Sequence, residues 1–373
     1  MSPERLPLPI RAAVVGSGAI SKEHLGFLSG KAAIRASTPV EHRIRLVGVC
    51  DLSPVTARYS ADEYGADAPY TDLGELLAEA RPDVVHVLTP PETHVALVTT
   101  CLEAGAHVIC EKPITPTHRE LIELLEVARA NDRHLMESHN YRFNRTVVAM
   151  RRAIDGGEIG TVREVGIRVV LPVTDPAGRF GDPHLPSPIH RMPAGVVHDF
   201  ITHLTYLLRH LAGPVAFDRI AAAWSNHSEN PLFTWDDLDA ILIGRGEAGP
   251  VHGRLRFDAG AGPDTFAIEV RGSDGWMETD LFQPYLRTVR PRPGGAQLSP
   301  IVNHVANGWG LIDQGVRNVG RKIMQRGPYE GLYRMLDETY LALGAGRPLP
   351  VTADDMLGAS ELIDRLVDEK VRL

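Results

Sequence analysis

Two short stretches of the chain carry side chains that could move a proton. In Gly195-Val196-Val197-His198-Asp199-Phe200-Ile201-Thr202-His203 an acid and a histidine stand four residues apart, ahead of an apolar run that continues to Leu211. On a helix that spacing puts Asp199 and His203 on one face, with Gly195 one turn earlier, where the helix start can lie close to a flat ring. A histidine so placed can exchange a proton with a hydroxyl while the carboxylate orients the site and biases its charge. His198 points about 100 degrees away from Asp199 and is kept as a further substrate contact. Its i,i+5 spacing from His203 spreads the two rings and does not suit a metal. The second stretch is Glu111-Lys112-Pro113, whose lysine is a cation able to stabilise an oxygen on which negative charge develops. Each residue alone has a plainer reading, since a histidine in an apolar helix is commonly packed core and a lysine after a strand is commonly solvated.

The elements that must position these groups give them weight. Ala12-Ala13-Val14-Val15 reads as a strand running into Gly16-Ser17-Gly18-Ala19-Ile20-Ser21, the tight turn and helix start of a dinucleotide fold. Gly16 allows the turn, and Gly18 lets backbone approach a pyrophosphate held at the helix N-terminus. Ser21 replaces the third glycine with a residue small enough for close helix packing. The next strand, Arg45 to Cys50, ends in Asp51, where a carboxylate accepts hydrogen bonds from both ribose hydroxyls and repels a 2'-phosphate, favouring NAD over NADP. Asp51 lies farther from Gly16 than the usual spacing of about 20 residues, and an insertion around Ser29 to Glu41 accounts for the excess. The competing reading makes Asp51 a cap for the helix begun at Ser53-Pro54.

Further apolar strands at Val84 to Leu88 and His107 to Cys110, separated by helical segments such as Val95 to Glu103, predict a parallel sheet covered on both faces. Ligands of such sheets sit beyond the strand C-termini. Thr89-Pro90-Pro91 and Glu111-Lys112-Pro113 occupy that edge, which places the lysine beside the expected nicotinamide.

Composition sets the class. The 373 residues suit two domains, 43% hydrophobic and 23% charged content is ordinary for a globular chain, and no stretch approaches the roughly 20 apolar residues of a membrane span. A net charge of -8 argues against nucleic acid, whose binding requires a basic surface. Met1 to Pro9 lacks the apolar core of a signal peptide, so a cytoplasmic address is expected. Cys50, Cys101 and Cys110 have neither Cys-x-x-Cys spacing nor histidine partners at zinc-finger distances and read as core residues; no metal is expected.

Taken together, these motifs resemble the glucose-fructose oxidoreductase, inositol dehydrogenase and MocA family over nearly the whole chain. The carriers are Val15-Gly16-Ser17-Gly18, Asp51, Thr89-Pro90-Pro91-Glu92-Thr93-His94, the Ala104-Gly105 to Glu111-Lys112-Pro113 segment, Asn140-Tyr141-Arg142-Phe143 and the Gly195, Asp199, His203 helix. The Glu-Lys-Pro motif with the Asp-x-x-x-His helix is specific; the glycine turn is not. The resemblance implies an α/β N-terminal Rossmann domain, a doubly wound parallel sheet over residues 1–140. It implies an α+β substrate-binding and oligomerisation domain over 141–373, with a large, mainly antiparallel open sheet and last helices returning to the domain interface. It also implies that Lys112 holds the nicotinamide amide and the reacting hydroxyl, that the bond to Pro113 is often cis, that His203 is the general base and that Asp199 is its companion. Expected cofactor contacts are Gly16, Ser17, Gly18, Ala19, Ile20, Asp51, Thr89, Pro90, His94, Glu111 and Lys112. Expected substrate contacts are Lys112, Arg142, His190, Asp199 and His203. One departure stands out: Glu92 replaces the asparagine usual in its loop.

The remaining segments complete the reading. A helix from Asn144 to Asp155 and a strand at Val162 to Leu171 lead to a loop rich in Pro, Gly and His, Pro172 to Pro193, the natural substrate lid. His184, His190 and Arg191 there could meet hydroxyls or an anionic group, or be solvated. Arg219 to Trp224, Asp239 to Gly244, Val251 to Phe257, Phe266 to Arg271 and Met277 to Arg290 read as strands of the antiparallel sheet, whose outer face could join copies as a homodimer or homotetramer. Ile301, Val305, Trp309, Ile312, Val316, Val319 and Ile323 form a stripe of helical period beside Arg317, Arg321, Lys322 and Arg326. Packing against the body or another subunit explains it; peripheral membrane docking through 301–326 is the sharper alternative, opposed by four glycines. Closing helices are expected at Tyr329 to Leu343 and Asp354 to Asp368. The leading function is a dehydrogenase or ketoreductase for a small, sugar-like substrate. The alternatives are a lyase or glycoside-cleaving enzyme that oxidises transiently with NAD, and a non-catalytic sensor binding NAD or sugar.

Overall fold

The computed structural model describes residues 5–32, 43–185, 187–292, 295–323, 329–368 and 370–372. The chain forms two compact units, Met1–Asn140 with Tyr329–Leu357 and Tyr141–Pro328 with Gly358–Leu373. Most of the insertion inferred around Ser29 to Glu41 lies outside the described residues.

The first unit alternates strand and helix: β1 (Ile10–Val15), α1 (Ser21–Leu28), β2 (Ile44–Cys50), α2 (Pro54–Tyr64), β3 (Pro69–Tyr70), α3 (Leu73–Ala80), β4 (Val84–Val87), α4 (His94–Glu103), β5 (His107–Cys110), α5 (His118–Ala130) and β6 (Leu135–Glu137). Its strands form one sheet in the order β3-β2-β1-β4-β5-β6, every pair parallel. Side chains on both faces of β1 and β4 are buried, as the continuous apolar runs require. The strand order reverses between β1 and β4, so the switch point where such sheets bind ligands lies beyond Val15 and Val87. Helices start where the sequence supplies acceptors: Ser53 accepts from Thr56 N, Asp72 from Glu75 N, and Thr117 and Glu120 make a reciprocal capping box.

The second unit comprises α6 (Arg145–Asp155), β7 (Val162–Val170), α7 (Gly195–Ala212), β8 (Ala216–Ser225), β9 (Asp237–Gly246), β10 (Gly249–Asp258), β11 (Thr265–Gly272), β12 (Trp276–Asp280), β13 (Arg287–Val289) and α8 (Gly295–Ile323). After it come α9 (Glu330–Ala345), which belongs to the first unit, α10 (Ala353–Asp368) and β14 (Lys370–Arg372). The eight strands run β13-β12-β11-β7-β10-β9-β8-β14, parallel at β7/β10 and β8/β14 and antiparallel elsewhere. The large, mainly antiparallel open sheet is therefore present. Met277 to Arg290 continues the sheet, as read, through β12 and β13 with a turn between them.

One face of this sheet carries α7. Buried Val251, Leu255 and Phe257 of β10 alternate with outward residues and pack with Leu204, Leu207, Leu208 and Leu211 of α7 in one core. Gly253 sits under the helix, where a Cβ would come within 3.0 Å of a Leu208 methyl. A larger residue there would push α7, and its catalytic candidates, off the sheet.

The helix α8 corrects one expectation. Its helical period is as read, but the stripe does not pack on the body. Ile301, Val305, Trp309, Ile312, Val316 and Val319 are all exposed, Trp309 by 70%. The opposite, polar face is the one that docks. Asn303 Nδ2 donates to Arg290 O at 2.8 Å, Asn307 exchanges hydrogen bonds with Thr288 N and O, Gln314 does so with Leu286 N and O, and Asn318 Nδ2 donates to Pro284 O. Arg326, and the side chains of Arg321, Lys322 and Ile323, lie outside the described residues. No helix among the described residues is long and apolar enough to cross a membrane.

Candidate active site

The glycine turn behaves as its sequence demands. Gly16 has φ +92°, and a Cβ on it would lie 2.8 Å from Thr89 Cγ2 and 3.0 Å from the Leu88 carbonyl. No other residue fits between β1 and β4 there. A Cβ on Gly18 would meet nothing within 4 Å, so backbone is open to a ligand at that point. Ile20 precedes α1 and has no side-chain acceptor for the first-turn amides, while Ser21 Oγ donates back to Gly18 O at 2.5 Å. Free N–H groups at the head of an α-helix are what a pyrophosphate needs. Ser17 contributes through its backbone: its N–H donates to Asp51 Oδ2 at 2.8 Å.

Asp51 is held rigidly, with Oδ1 accepting from Ser53 N at 2.9 Å. The cap of α2 is Ser53, whose Oγ accepts from Thr56 N, so the capping explanation of Asp51 fails. Each carboxylate oxygen keeps lone pairs for a ribose hydroxyl. Open backbone at Gly18, first-turn amides without a side-chain cap and a fixed acid at the end of β2 together fit a dinucleotide.

The nicotinamide-side loops are pinned from beneath. His94 is fully buried, with Nε2 2.8 Å from Thr89 O and Nδ1 3.0 Å from Pro113 O. Burial pulls its pKa down despite both carbonyls, so the neutral ring donates to one of them at a time. The ring thus ties the Thr89-Pro90 loop to the Lys112-Pro113 loop, and its nitrogens face backbone. With both nitrogens so committed, the ring positions these two loops, and a cofactor would meet only its carbon edge. The Lys112-Pro113 peptide is cis, and Ile114 N donates to Glu137 Oε1 at 2.8 Å, which secures the loop's far side. Lys112 is half-buried, whereas Glu92 is exposed.

Glu111 connects to a chain that sequence reading missed. His24 Nε2 lies 3.4 Å from Glu111 Oε1, His24 Nδ1 lies 2.8 Å from His86 Nδ1, and His86 Nε2 lies 2.8 Å from the Tyr340 hydroxyl. A carboxylate can only accept, so with both rings neutral the polarity is fixed: Tyr340 donates to His86, His86 to His24, and His24 to Glu111. Burial, then the nearby His24 ring, pushes the His86 pKa well below 6.5. Burial alone would raise Glu111, but the hydrogen bond from His24 and the positive charge of Lys112 leave it lowered and ionised. A histidine inside apolar β4 was the available signal, since a polar ring there must find a partner.

In the second unit Asp199 and His203 lie on α7, 6% and 8% exposed. His203 Nδ1 is 2.8 Å from the Tyr206 hydroxyl, which also accepts from Tyr141 N at 3.3 Å, and the Tyr141 ring sits 4.6 Å from the His203 ring. A base at Nε2 requires the proton on Nδ1, and the Tyr206 oxygen can accept it. Tyr206 was missed, although i+3 spacing from His203 on a buried helix was visible. His198 is buried at 1%.

The lid region is irregular, ending in a short 3-10 turn at Pro188–Arg191. Asn230 Nδ2 donates to Thr174 O and Gly181 O and pins it. His190 has Nε2 2.8 Å from Phe180 O and Nδ1 3.1 Å from Leu232 O. Its ring braces the loop, which leaves neither nitrogen turned toward a substrate in this arrangement. His184 and Arg191 are exposed, and Arg142 is half-buried in the turn Asn140–Phe143.

Comparison with known proteins agrees with this geometry. Residues 10–139 match a family model described as "Oxidoreductase family, NAD-binding Rossmann fold". Inositol 2-dehydrogenase of Rhizobium meliloti is 26% identical over 346 residues, covering 84% of this chain and 98% of that protein. D-glucoside 3-dehydrogenase of Escherichia coli is 29% identical over 155 residues, 41% of each chain. A putative myo-inositol dehydrogenase from Sinorhizobium meliloti superposes over 96% of this chain and 98% of its own, with TM-score 0.68 and 25% identity. The fold also matches an inositol dehydrogenase homolog from Azotobacter vinelandii complexed with NADH and myo-inositol, TM-score 0.71 at 22% identity over 99% and 97% of the chains. Residues 10–139 thus match the NAD-binding Rossmann domain of the oxidoreductase family that the sequence motifs resemble, and the chain over most of its length is similar to an inositol 2-dehydrogenase.

Proposed function

We propose that this protein oxidises a secondary alcohol of a sugar, inositol or sugar derivative, or reduces the matching ketone, with NAD as the redox partner. The observation that carries the reading is a buried histidine, His203, held by a tyrosine hydroxyl on the helix face it shares with Asp199, in a chain with an NAD-binding Rossmann domain. Relatives named inositol 2-dehydrogenase and D-glucoside 3-dehydrogenase support the substrate class.

Gly16, Ser17, Gly18, Ala19 and Ile20 would hold the pyrophosphate, Asp51 the adenosine ribose, and Thr89, Pro90, Glu111 and Lys112 the nicotinamide side. When bound, NAD supplies the acceptor for the hydride. His203 takes the hydroxyl proton at Nε2 while Nδ1–H donates to Tyr206, and Lys112 stabilises developing negative charge on the substrate oxygen. Asp199 offsets the positive charge that His203 gains. Arg142 is the remaining substrate contact.

The buried free thiols of Cys50, Cys101 and Cys110 suit the reducing cytoplasm. A homodimer or homotetramer through the outer sheet face, which exposes Ile241 on β9, completes this reading. The test is a panel of polyols, aminosugars and nucleotide sugars with NAD and with NADP, followed by absorbance of the reduced nicotinamide. Turnover with NAD on at least one polyol is expected. Preference for NADP would refute the role of Asp51, and cofactor binding without turnover on any of them would leave the sensor reading in its place.

A further inference from the structure

The helix α8 is amphipathic in the opposite sense from a surface helix. Its amide side chains bond the backbone of residues 284–290, so turning the helix to bury its apolar face would break those bonds. Trp309, Ile312, Val316 and Val319 are spaced 3-4-3, and Leu298, Ile301 and Val305 are spaced 3-4; this is the seam pattern by which one helix meets another. The seam is long: the exposed side chains, with Trp309 at 70%, Val316 at 68% and Ile312 at 61%, run along about six turns of helix, room for a buried area on the order of the 800 Å² that each partner gives a standard interface.

Glycines give a second, independent indication. Gly308, Gly315 and Gly320 interrupt a helix interior that glycine weakens, yet a Cβ at any of them would meet nothing within 4 Å. Nothing among the described residues requires them. Gly308 and Gly315 are seven residues apart beside Trp309 and Val316, where they would let a second backbone approach closely. The charges beside the seam, Asp313 and Arg317, pair with each other at 2.9 Å. Around Asp313 and Arg317 the flank therefore presents no net charge, and so no repulsion, to a like surface.

We propose that α8 is a self-association seam whose occupant is α8 of a second copy of this chain. A surface of this kind is self-complementary and closes about a two-fold axis. The inference adds a contact to the sheet-face assembly and is independent of the catalytic reading, because its readout is mass.

Light scattering on the full chain, eluting from a sizing column, tests it. The wild type should be a whole multiple of the monomer, and Ile312→Glu/Val316→Glu should halve that mass while keeping its helical circular dichroism. Ile122→Glu, at an exposed site on α5, should leave it unchanged. Hydrogen exchange on the wild type needs no variant: amide protection across Trp309–Val319 should rise with protein concentration. A monomeric wild type, a mass indifferent to the double substitution, or protection independent of concentration would overturn the proposal. So would a monomeric protein that sediments with phosphatidylserine vesicles, in which case lipid is the occupant.

Discussion

The two units hold their chemical groups by different means. In the first, Asp51, Glu111 and the Lys112 loop stand at strand ends and are fixed by hydrogen bonds from residues far away in sequence; His86 and Tyr340 are 254 positions apart. In the second, Asp199, His203 and Tyr206 take their arrangement from one helix, at spacings of four and three. The difference separates two kinds of failure. A change at Gly16, Asp51 or the His24, His86 and Tyr340 chain should act on cofactor binding or stability, and a change on α7 should act on turnover, as should one at Lys112, the first unit's own catalytic candidate.

The largest effect expected follows from His203→Asn, which removes the proton acceptor. Turnover should fall by about 10² or more, with NAD affinity, read by fluorescence titration, nearly unchanged. Unaltered turnover would remove His203 from the mechanism and erase the contrast between the units.

Tyr206→Phe sharpens the same comparison. It keeps the ring in the core but deletes the oxygen that holds the Nδ1 proton, so kcat should fall about tenfold, the order by which orienting partners act. The pH profile of kcat should shift as well, whereas a purely structural role would lower thermal stability and leave the profile in place.

The smallest effect concerns the first unit's stability. Burial lowers His86 and His94, and burial with the His134 and Arg133 charges lowers His107 to about 4. Such histidines bind fewer protons folded than unfolded below pH 6.5. Their stability contribution is therefore complete above about pH 6.5 and is lost as pH falls below it; His107, lowered to about 4, loses its share between these two values, on the order of 3 kcal/mol. Protease resistance of the first unit should therefore fall between pH 7 and pH 5, and His107→Asn should lessen that fall. Resistance unchanged over this range would contradict this.

Legibility followed the same division. The placement of Gly16, Asp51, Lys112, Asp199 and His203 was readable because it lies in local spacing: a turn, a strand end, one helix face. Tyr206 was readable in principle by the same rule. The His24, His86 and Tyr340 chain was not, because it is assembled from α1, β4 and α9, and no local period brings those together. His94 and His190 show the converse. Their sequence surroundings suggested ligand contact, but both ring nitrogens of each face backbone carbonyls, a commitment fixed by tertiary packing. The outward face of α8 was ambiguous for a similar reason: periodicity says that a stripe exists but not what covers it.

The central claim is net hydride transfer, and stoichiometry tests it most directly. With the best substrate from the polyol panel and NAD in excess, reduced nicotinamide and oxidised product should accumulate in equal molar amounts. Product appearing without net reduced nicotinamide would contradict the account and identify a transient oxidation serving elimination or glycoside cleavage.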